Sequence, residues 1–118
     1  LRILKNTYQK IYPKKIKAWH LHQAMTINYA VPHGRILFVL HDERPNSPTK
    51  GVTQEILMGE RDYFLVTVPP MIWNGFRGIG DYPAIVANCS SIPHDPKEIE
   101  RRDPFDETIG YDWSTSIA

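Results

Sequence analysis

Residues 16–41, IKAWHLHQAMTINYAVPHGRILFVLH, form the stretch that decides the fold. Three runs rich in β-branched and aromatic residues alternate here with turn-forming residues such as Pro and Gly. The runs are 16–22, 26–31 and 36–41. Residues 36–40 are all apolar, which predicts a strand buried on both faces. The short spacing of the runs predicts packed β-strands.

The rest of the chain continues the pattern. Further β-rich runs occupy 52–57, 63–68 and 84–89. Turn signals at 45–48 and 78–81 complete a pattern typical of a β-sandwich, jelly roll or barrel. One helix interrupts it: residues 95–98 (DPKE) match a capping box, with Asp at the N-cap, Pro at N1 and Glu at N3. We expect a short helix from Asp95 through Arg102, stopped by Pro104.

Composition bounds the function. The 118 residues and 13.7 kDa predict a single domain, with a formal charge of +1 that argues against a nucleic-acid partner. No apolar run is long enough for a bilayer crossing, so we expect a soluble cytoplasmic protein without a membrane partner. The lone Cys89 makes no internal disulfide. The chain starts at Leu1 rather than Met, so we expect a processed or incomplete N-terminus.

The densest group of chemically active side chains lies at residues 17–22 (KAWHLH). Alternation along a strand predicts Ala18, His20 and His22 on one face and Lys17, Trp19 and Leu21 on the other. Two imidazoles on one face can bind a metal or supply a base. They can equally be polar side chains on a half-exposed sheet.

The wider spacing resembles the two cupin motifs. His20-x-His22, then Ile27 and Gly34, reproduces the first motif, and residues 68–76 (VPPMIWNGF) are similar to the second. In metal-binding cupins this pattern supplies two His, one Glu and a third His. Here Ile27 holds the Glu position and Asn74 the third His position, and neither is a good ligand for a transition metal. We therefore predict no metal and no cofactor, although a site made by His20 and His22 stays open.

Four segments, taken together, point to one family. They are 17–20 (KAWH), 42–51 (DERPNSPTKG), 69–76 (PPMIWNGF) and 110–113 (GYDW). In this order they resemble the motifs of the dTDP-4-dehydrorhamnose 3,5-epimerase family, jelly-roll cupins that act on nucleotide-linked 4-keto sugars. The resemblance implies an all-β, cupin-like double-stranded β-helix, a nucleotide-sugar substrate and a homodimer.

The resemblance also assigns roles. His20 would remove the proton next to the sugar ketone, and Asp112 would orient its ring. Lys17 and Arg44 would meet the diphosphate. The full set of expected substrate-binding residues is Lys17, His22, Asn28, Arg44, Asn74 and Asn88, although Asn28 and Ile27 cannot both face one pocket.

Several family positions are changed. The acid Tyr of the family falls on Asn88, and its oxyanion-binding Lys falls on or beside Ile27. An amide does not titrate, so Asn88 cannot replace a phenol. The residues leave three explanations open: a single-centre epimerase or ketoisomerase, another acid such as Tyr29 or Tyr82, or a cupin that only binds a sugar or nucleotide sugar.

Other polar side chains are expected to play no catalytic part. We expect His33, His41 and His94 to be solvated at turns or strand ends. Arg101 and Arg102 would complement the dipole of the predicted helix.

Overall fold

The computed structural model describes residues 6–91 and 95–114, in which nine strands form two antiparallel sheets. The four-stranded sheet has the order β1 (Asn6–Ile11), β8 (Ala84–Ser90), β3 (Ile27–His33) and β6 (Val66–Val68). The five-stranded sheet has the order β5 (Thr53–Gly59), β4 (Arg35–His41), β7 (Trp73–Ile79), β2 (Ile16–His22) and β9 (Ile99–Arg101). The predicted all-β fold is confirmed. In these ranges no helix is long and apolar enough to span a membrane.

The main core lies between the sheets. Alternate residues of β4 show the arrangement: Ile36 and Phe38 join this core, while the side chains between and after them pack on the outer face of the five-stranded sheet. All four residues from 36 to 39 are at most 1% exposed. The predicted burial of this strand on both faces is therefore confirmed.

The outer face of the five-stranded sheet is covered by the C-terminal segment, residues 103–114. Ile109 and Trp113 of this segment pack against Trp19 of β2, with the Trp19 and Trp113 ring centroids 5.2 Å apart. Both indole N–H groups donate to the carbonyl of Pro104, at 3.2 Å from Trp19 and 3.0 Å from Trp113. Buried indoles need such an acceptor, so the segment is fastened by hydrogen bonds as well as by packing.

The β2 strand departs from the predicted alternation. Its register with β7 shifts between Lys17 and His20. As a result Ala18 packs with Trp19 on the outer face rather than sharing the inner face with the histidines. The prediction for Ala18 was therefore wrong, because a β-bulge locally breaks the period of two. Beyond the bulge, Leu21 lies outside and the imidazoles lie inside, as expected.

The predicted helix is also corrected. The capping contact exists, since the Asp95 carboxylate accepts from the Lys97 backbone N–H at 3.0 Å. Only one 3₁₀ turn, η1 (Pro96–Glu98), follows it. From Ile99 the chain is extended and pairs with β2 as β9. Pairing with a sheet edge gives these residues more backbone hydrogen bonds and burial than an isolated helical turn could.

Trp113→Ala should lower the free energy of unfolding by about 3–5 kcal/mol, the usual cost of deleting a buried aromatic side chain. Phe105→Ala is the matched control, because Phe105 lies in the same segment but is 70% exposed. Urea unfolding monitored by circular dichroism measures both. Equal effects of the two substitutions would contradict the outer-face packing.

Candidate active site

A cavity of about 410 Å³ lies between the two sheets, beside β1 and β9. Its polar lining includes His20, His22, Tyr29, Asn88 and Arg101. Met25, Ile27 and Ile99 supply apolar surface. A mainly apolar hollow with a few convergent polar groups is the usual form of a small-molecule site.

His20 is held as a neutral imidazole. Its pKa is lowered from 6.5 to about 4, first by burial and then by the positive charges of Arg101, His22 and Lys17. Arg101 stands directly opposite it in the β2–β9 register. A neutral ring keeps a lone pair at physiological pH, so His20 can accept a proton there.

His22 contacts a buried carboxylate. Its Nδ1 lies 2.8 Å from Oε2 of Glu98, and the other Glu98 oxygen accepts the backbone N–H groups of Ala24 (3.0 Å) and Met25 (2.8 Å). Burial by itself would raise the pKa of Glu98, but the hydrogen bonds from His22 and these two amides lower it below its ordinary value. Glu98 is therefore ionised at neutral pH. From the sequence, Glu98 was predicted only to belong to a capping box.

Tyr29 is the buried phenol of the cavity. Burial raises its pKa to about 12, so it keeps its proton at neutral pH. Tyr82, the other phenol considered from the sequence, is half-exposed and stacks near His33, with ring centroids 5.3 Å apart. Only Tyr29 of these two lines the cavity.

Two further expected residues lie at the cavity or beside it. The Lys17 ammonium donates to the side-chain carbonyl of Gln9, a cavity-lining residue of β1, at 3.1 Å. Asn88 lines the cavity directly, and its side-chain oxygen accepts from the Thr7 hydroxyl. The β1 strand thus supplies hydrogen-bond partners to both residues.

The structure places three other expected binding residues outside the cavity lining. The Asn28 side chain accepts from the Thr67 hydroxyl at 2.5 Å, on the face of β3 opposite Tyr29. Arg44 forms a two-point ion pair with buried Asp42, and hydrogen bonds from Arg44 are the main cause that lowers the Asp42 pKa. Asn74 is buried and donates to the backbone carbonyls of His20 (3.2 Å) and Ile72 (3.3 Å).

Asp112 is not brought to the cavity either. It is exposed on the C-terminal segment, where its carboxylate accepts the Ser114 backbone N–H at 2.9 Å and the Ser114 hydroxyl at 2.5 Å. Hydrogen bonds from Ser114 are also what lowers its pKa. Its pairing with His20 stays a prediction from the sequence resemblance.

The cavity has few metal ligands. Ile27 and Asn74 occupy the positions at which metal-binding cupins carry a Glu and a His, and His22 already shares Nδ1 with Glu98. Within residues 6–91 and 95–114, no three His, Cys, Asp or Glu side chains are grouped so that they could hold an ion. The predicted metal independence remains a prediction.

The expectations for the other histidines and for Arg101 had mixed outcomes. His33 has an exposed side chain, as predicted, whereas His41 is buried between Thr53 (2.7 Å) and Glu43 (3.4 Å), so its predicted solvation was wrong. His94 lies outside the described residues. Arg101 lies on β9 and lines the cavity instead of complementing a helix dipole.

The His20 ring should titrate near pH 4 by NMR, rather than near 6.5. Unfolding restores the ordinary pKa, so the unfolded state binds more protons between pH 6.5 and about 4, and stability falls as pH falls through that window. Arg101→Gln should raise the midpoint part of the way, because burial is the larger cause. A midpoint at or above 6.5 in the native protein would contradict this environment.

Comparison with known proteins identifies relatives at substantial identity. The chain is 35% identical over 113 residues to the "Probable low-salt glycan biosynthesis epimerase" of Haloferax volcanii, covering 93% of this chain and 72% of that protein. It is 35% identical to the spore coat polysaccharide biosynthesis protein SpsL of Bacillus subtilis, covering 94% of this chain and 75% of that one. No family model matches the sequence.

Solved structures agree on the architecture. A dTDP sugar isomerase from Desulfovibrio desulfuricans G20 superposes with a TM-score of 0.92 at 38% identity, covering 96% of this chain and 73% of that one. A dTDP-4-dehydrorhamnose 3,5-epimerase from Elizabethkingia anophelis shares the fold, with a TM-score of 0.84 at 17% identity over 98% of this chain and 64% of that one. The predicted cupin-like jelly roll is thereby confirmed. The chain belongs to the dTDP-4-dehydrorhamnose 3,5-epimerase family of sugar epimerases and isomerases.

Proposed function

We propose that this protein is a metal-independent epimerase or isomerase of a nucleotide-linked 4-keto-6-deoxy sugar, with His20 as its base. The observation that carries the proposal is the position of His20 as a neutral imidazole on the wall of a cavity large enough for a sugar ring. Its relatives include an enzyme described as a dTDP sugar isomerase, which supports this substrate class.

The first step is removal of the C–H proton next to the ketone. His20 takes this proton on an imidazole nitrogen. The electron pair of the broken C–H bond forms a carbon–carbon double bond in the sugar, and the ketone becomes an enolate. Burial and the neighbouring Arg101 and Lys17 charges keep the imidazole unprotonated, so it is ready to act near neutral pH. The Arg101 guanidinium also adds positive charge to a site where an anion develops.

Tyr29 is the candidate acid for returning a proton to carbon. It lies on β3 of the four-stranded sheet, whereas His20 lies on β2 of the five-stranded sheet. The two side chains therefore approach a sugar in the cavity from opposing walls. Removal of a proton from one ring face and return to the other inverts the carbon. A phenol that keeps its proton up to a pKa of about 12 can supply it to the enolate.

A nucleotide diphosphate needs positive charge near the cavity mouth. Lys17, held by Gln9, and Arg101 supply it on β2 and β9. Arg44 is committed to Asp42 in the loop after β4. We therefore propose Lys17 and Arg101 as the contacts of the diphosphate.

Incubation with dTDP-4-keto-6-deoxyglucose in heavy water should place deuterium on a carbon beside the ketone. NMR or mass spectrometry detects this label. His20→Gln should slow this exchange by at least about 100-fold, the contribution typical of a general base. His33→Gln is the matched control, because its side chain is exposed and outside the cavity lining. Asp112→Asn in the same assay tests the pairing predicted from sequence.

The alternative function is a binding module without turnover. It is motivated by Asn88 and Ile27, which stand where the family carries its acid Tyr and its Lys. Saturable binding of the nucleotide sugar without label in the wild-type protein would favour that alternative. Unchanged exchange in His20→Gln would instead assign the base to another residue.

A further inference from the structure

The two cavity imidazoles have opposite electrostatic surroundings. His20 faces the cations Arg101 and Lys17, whereas His22 makes its close contact with the carboxylate of Glu98, 2.8 Å away. A nearby negative charge stabilises an imidazolium, and nearby positive charges destabilise one. Neighbouring titratable groups whose environments differ in this way commonly divide the acid and base roles of a reaction.

The hydrogen bonds of Glu98 also fix which His22 nitrogen is free. One carboxylate oxygen is used by the N–H groups of Ala24 and Met25, and the other contacts Nδ1 of His22. An ionised carboxylate can only accept, so the hydrogen of this contact belongs to His22 Nδ1. The second ring nitrogen, Nε2, is then the one left for a ligand in the cavity that His22 lines.

We infer that His22 and Glu98 form a second proton-transfer pair, in which His22 donates to the ketone oxygen of the sugar while Glu98 is its positioning residue. The inference rests on the proposed function, and it assigns a role to a residue for which the sequence suggested only helix capping. His22 lies two residues from His20 on the same strand face, about 7 Å along the strand. That spacing suits groups acting on adjacent atoms of one substrate.

The protons and electrons balance with water as the only other species involved. As His20 takes the C–H proton, the C–H electron pair forms the carbon–carbon double bond and the carbonyl π pair moves to oxygen. That oxygen takes the proton from Nε2 of the His22 imidazolium, whose N–H electron pair stays on nitrogen. Tyr29 then returns a proton to the opposite face of the carbon, and the enol oxygen returns its proton to His22. Exchange with water removes the proton from His20 and restores the one on Tyr29. Glu98 remains ionised and keeps the Nδ1–H hydrogen bond throughout.

The His22–Glu98 pair supplies a proton donor in a site where the Lys of the resembling family is absent. Ile27 lines the cavity at or beside the position where the resembling family has an oxyanion-binding Lys. An aliphatic side chain cannot neutralise an enolate, so Ile27 provides neither a charge nor a proton to the developing oxyanion, and Arg101 is the cation left in the lining. The His22 imidazolium supplies a cationic donor on the neighbouring wall. The Glu98 carboxylate beside it provides the counter-charge.

The test is Glu98→Gln, compared with Glu100→Gln as a matched control. Glu100 is an exposed residue two positions along, bonded to Gln23 at 2.9 Å. Glu98→Gln should lower kcat for solvent exchange by about 10–100-fold, with a smaller change in KM, because it removes the charge behind the donor. The other ionisable or charged lining groups, His20, Tyr29 and Arg101, are unchanged in this variant.

A double-mutant cycle separates positioning from a merely structural role. If Glu98 acts through His22, Glu98→Gln should cost little further kcat in a His22→Gln background. An equal loss in both backgrounds, or no loss beyond that of Glu100→Gln, would overturn the inference. Thermal unfolding of each variant verifies that the compared proteins are folded.

A measurement without turnover distinguishes this inference from the proposed function. Nitrogen-15 NMR of the unliganded protein should show the neutral His22 ring protonated on Nδ1. An Nε2-protonated ring would overturn the positioning role of Glu98, whatever the activity. Absence of solvent exchange in the wild-type protein would instead count against the proposed function itself.

Discussion

The arrangement of this site depends on the hydrogen bonds of the buried Glu98 carboxylate. Burying an unpaired carboxylate costs several kcal/mol, so the fold must bring donors to it. It does so from two places: the His22 ring and the backbone N–H groups of the β2–β3 connection. The same contacts hold η1 against the end of β2, and β9 begins at the next residue. One carboxylate thus links the cavity wall to its edge strand.

The two-sheet architecture also sets the protonation states of the two side chains that face each other across the cavity. His20 and Tyr29 share one cavity but belong to facing sheets, and burial acts on them in opposite directions because it disfavours whichever form is charged. It keeps the imidazole unprotonated and the phenol protonated. A base and an acid on opposing walls therefore follow from the packing of the sheets.

Most of the fold could be predicted because its strands carry the β pattern locally. The run at 16–22 matches β2 in both bounds, and the burial of β4 on both faces follows from its continuous apolar residues. The β7 strand was not predicted, because two glycines interrupt its β pattern. A Cβ at Gly75 would lie 2.4 Å from that of Ala18, and one at Gly78 would lie 2.3 Å from the Tyr12 carbonyl oxygen. These glycines report close tertiary contacts, which a local pattern does not contain.

The site was harder to predict because its partners are far apart in sequence. Strand periodicity was enough to put His20 and His22 on one cavity wall. It could not show that Glu98 lies beside His22, 76 positions away, since a capping box already accounted for a Glu at that position. The sequence motifs therefore show that Ile27 stands where the family has a Lys, but they do not show that another strand can supply a replacement. Where a departure from a family motif lies in a cavity, the whole lining decides whether the chemistry is lost or carried by other residues.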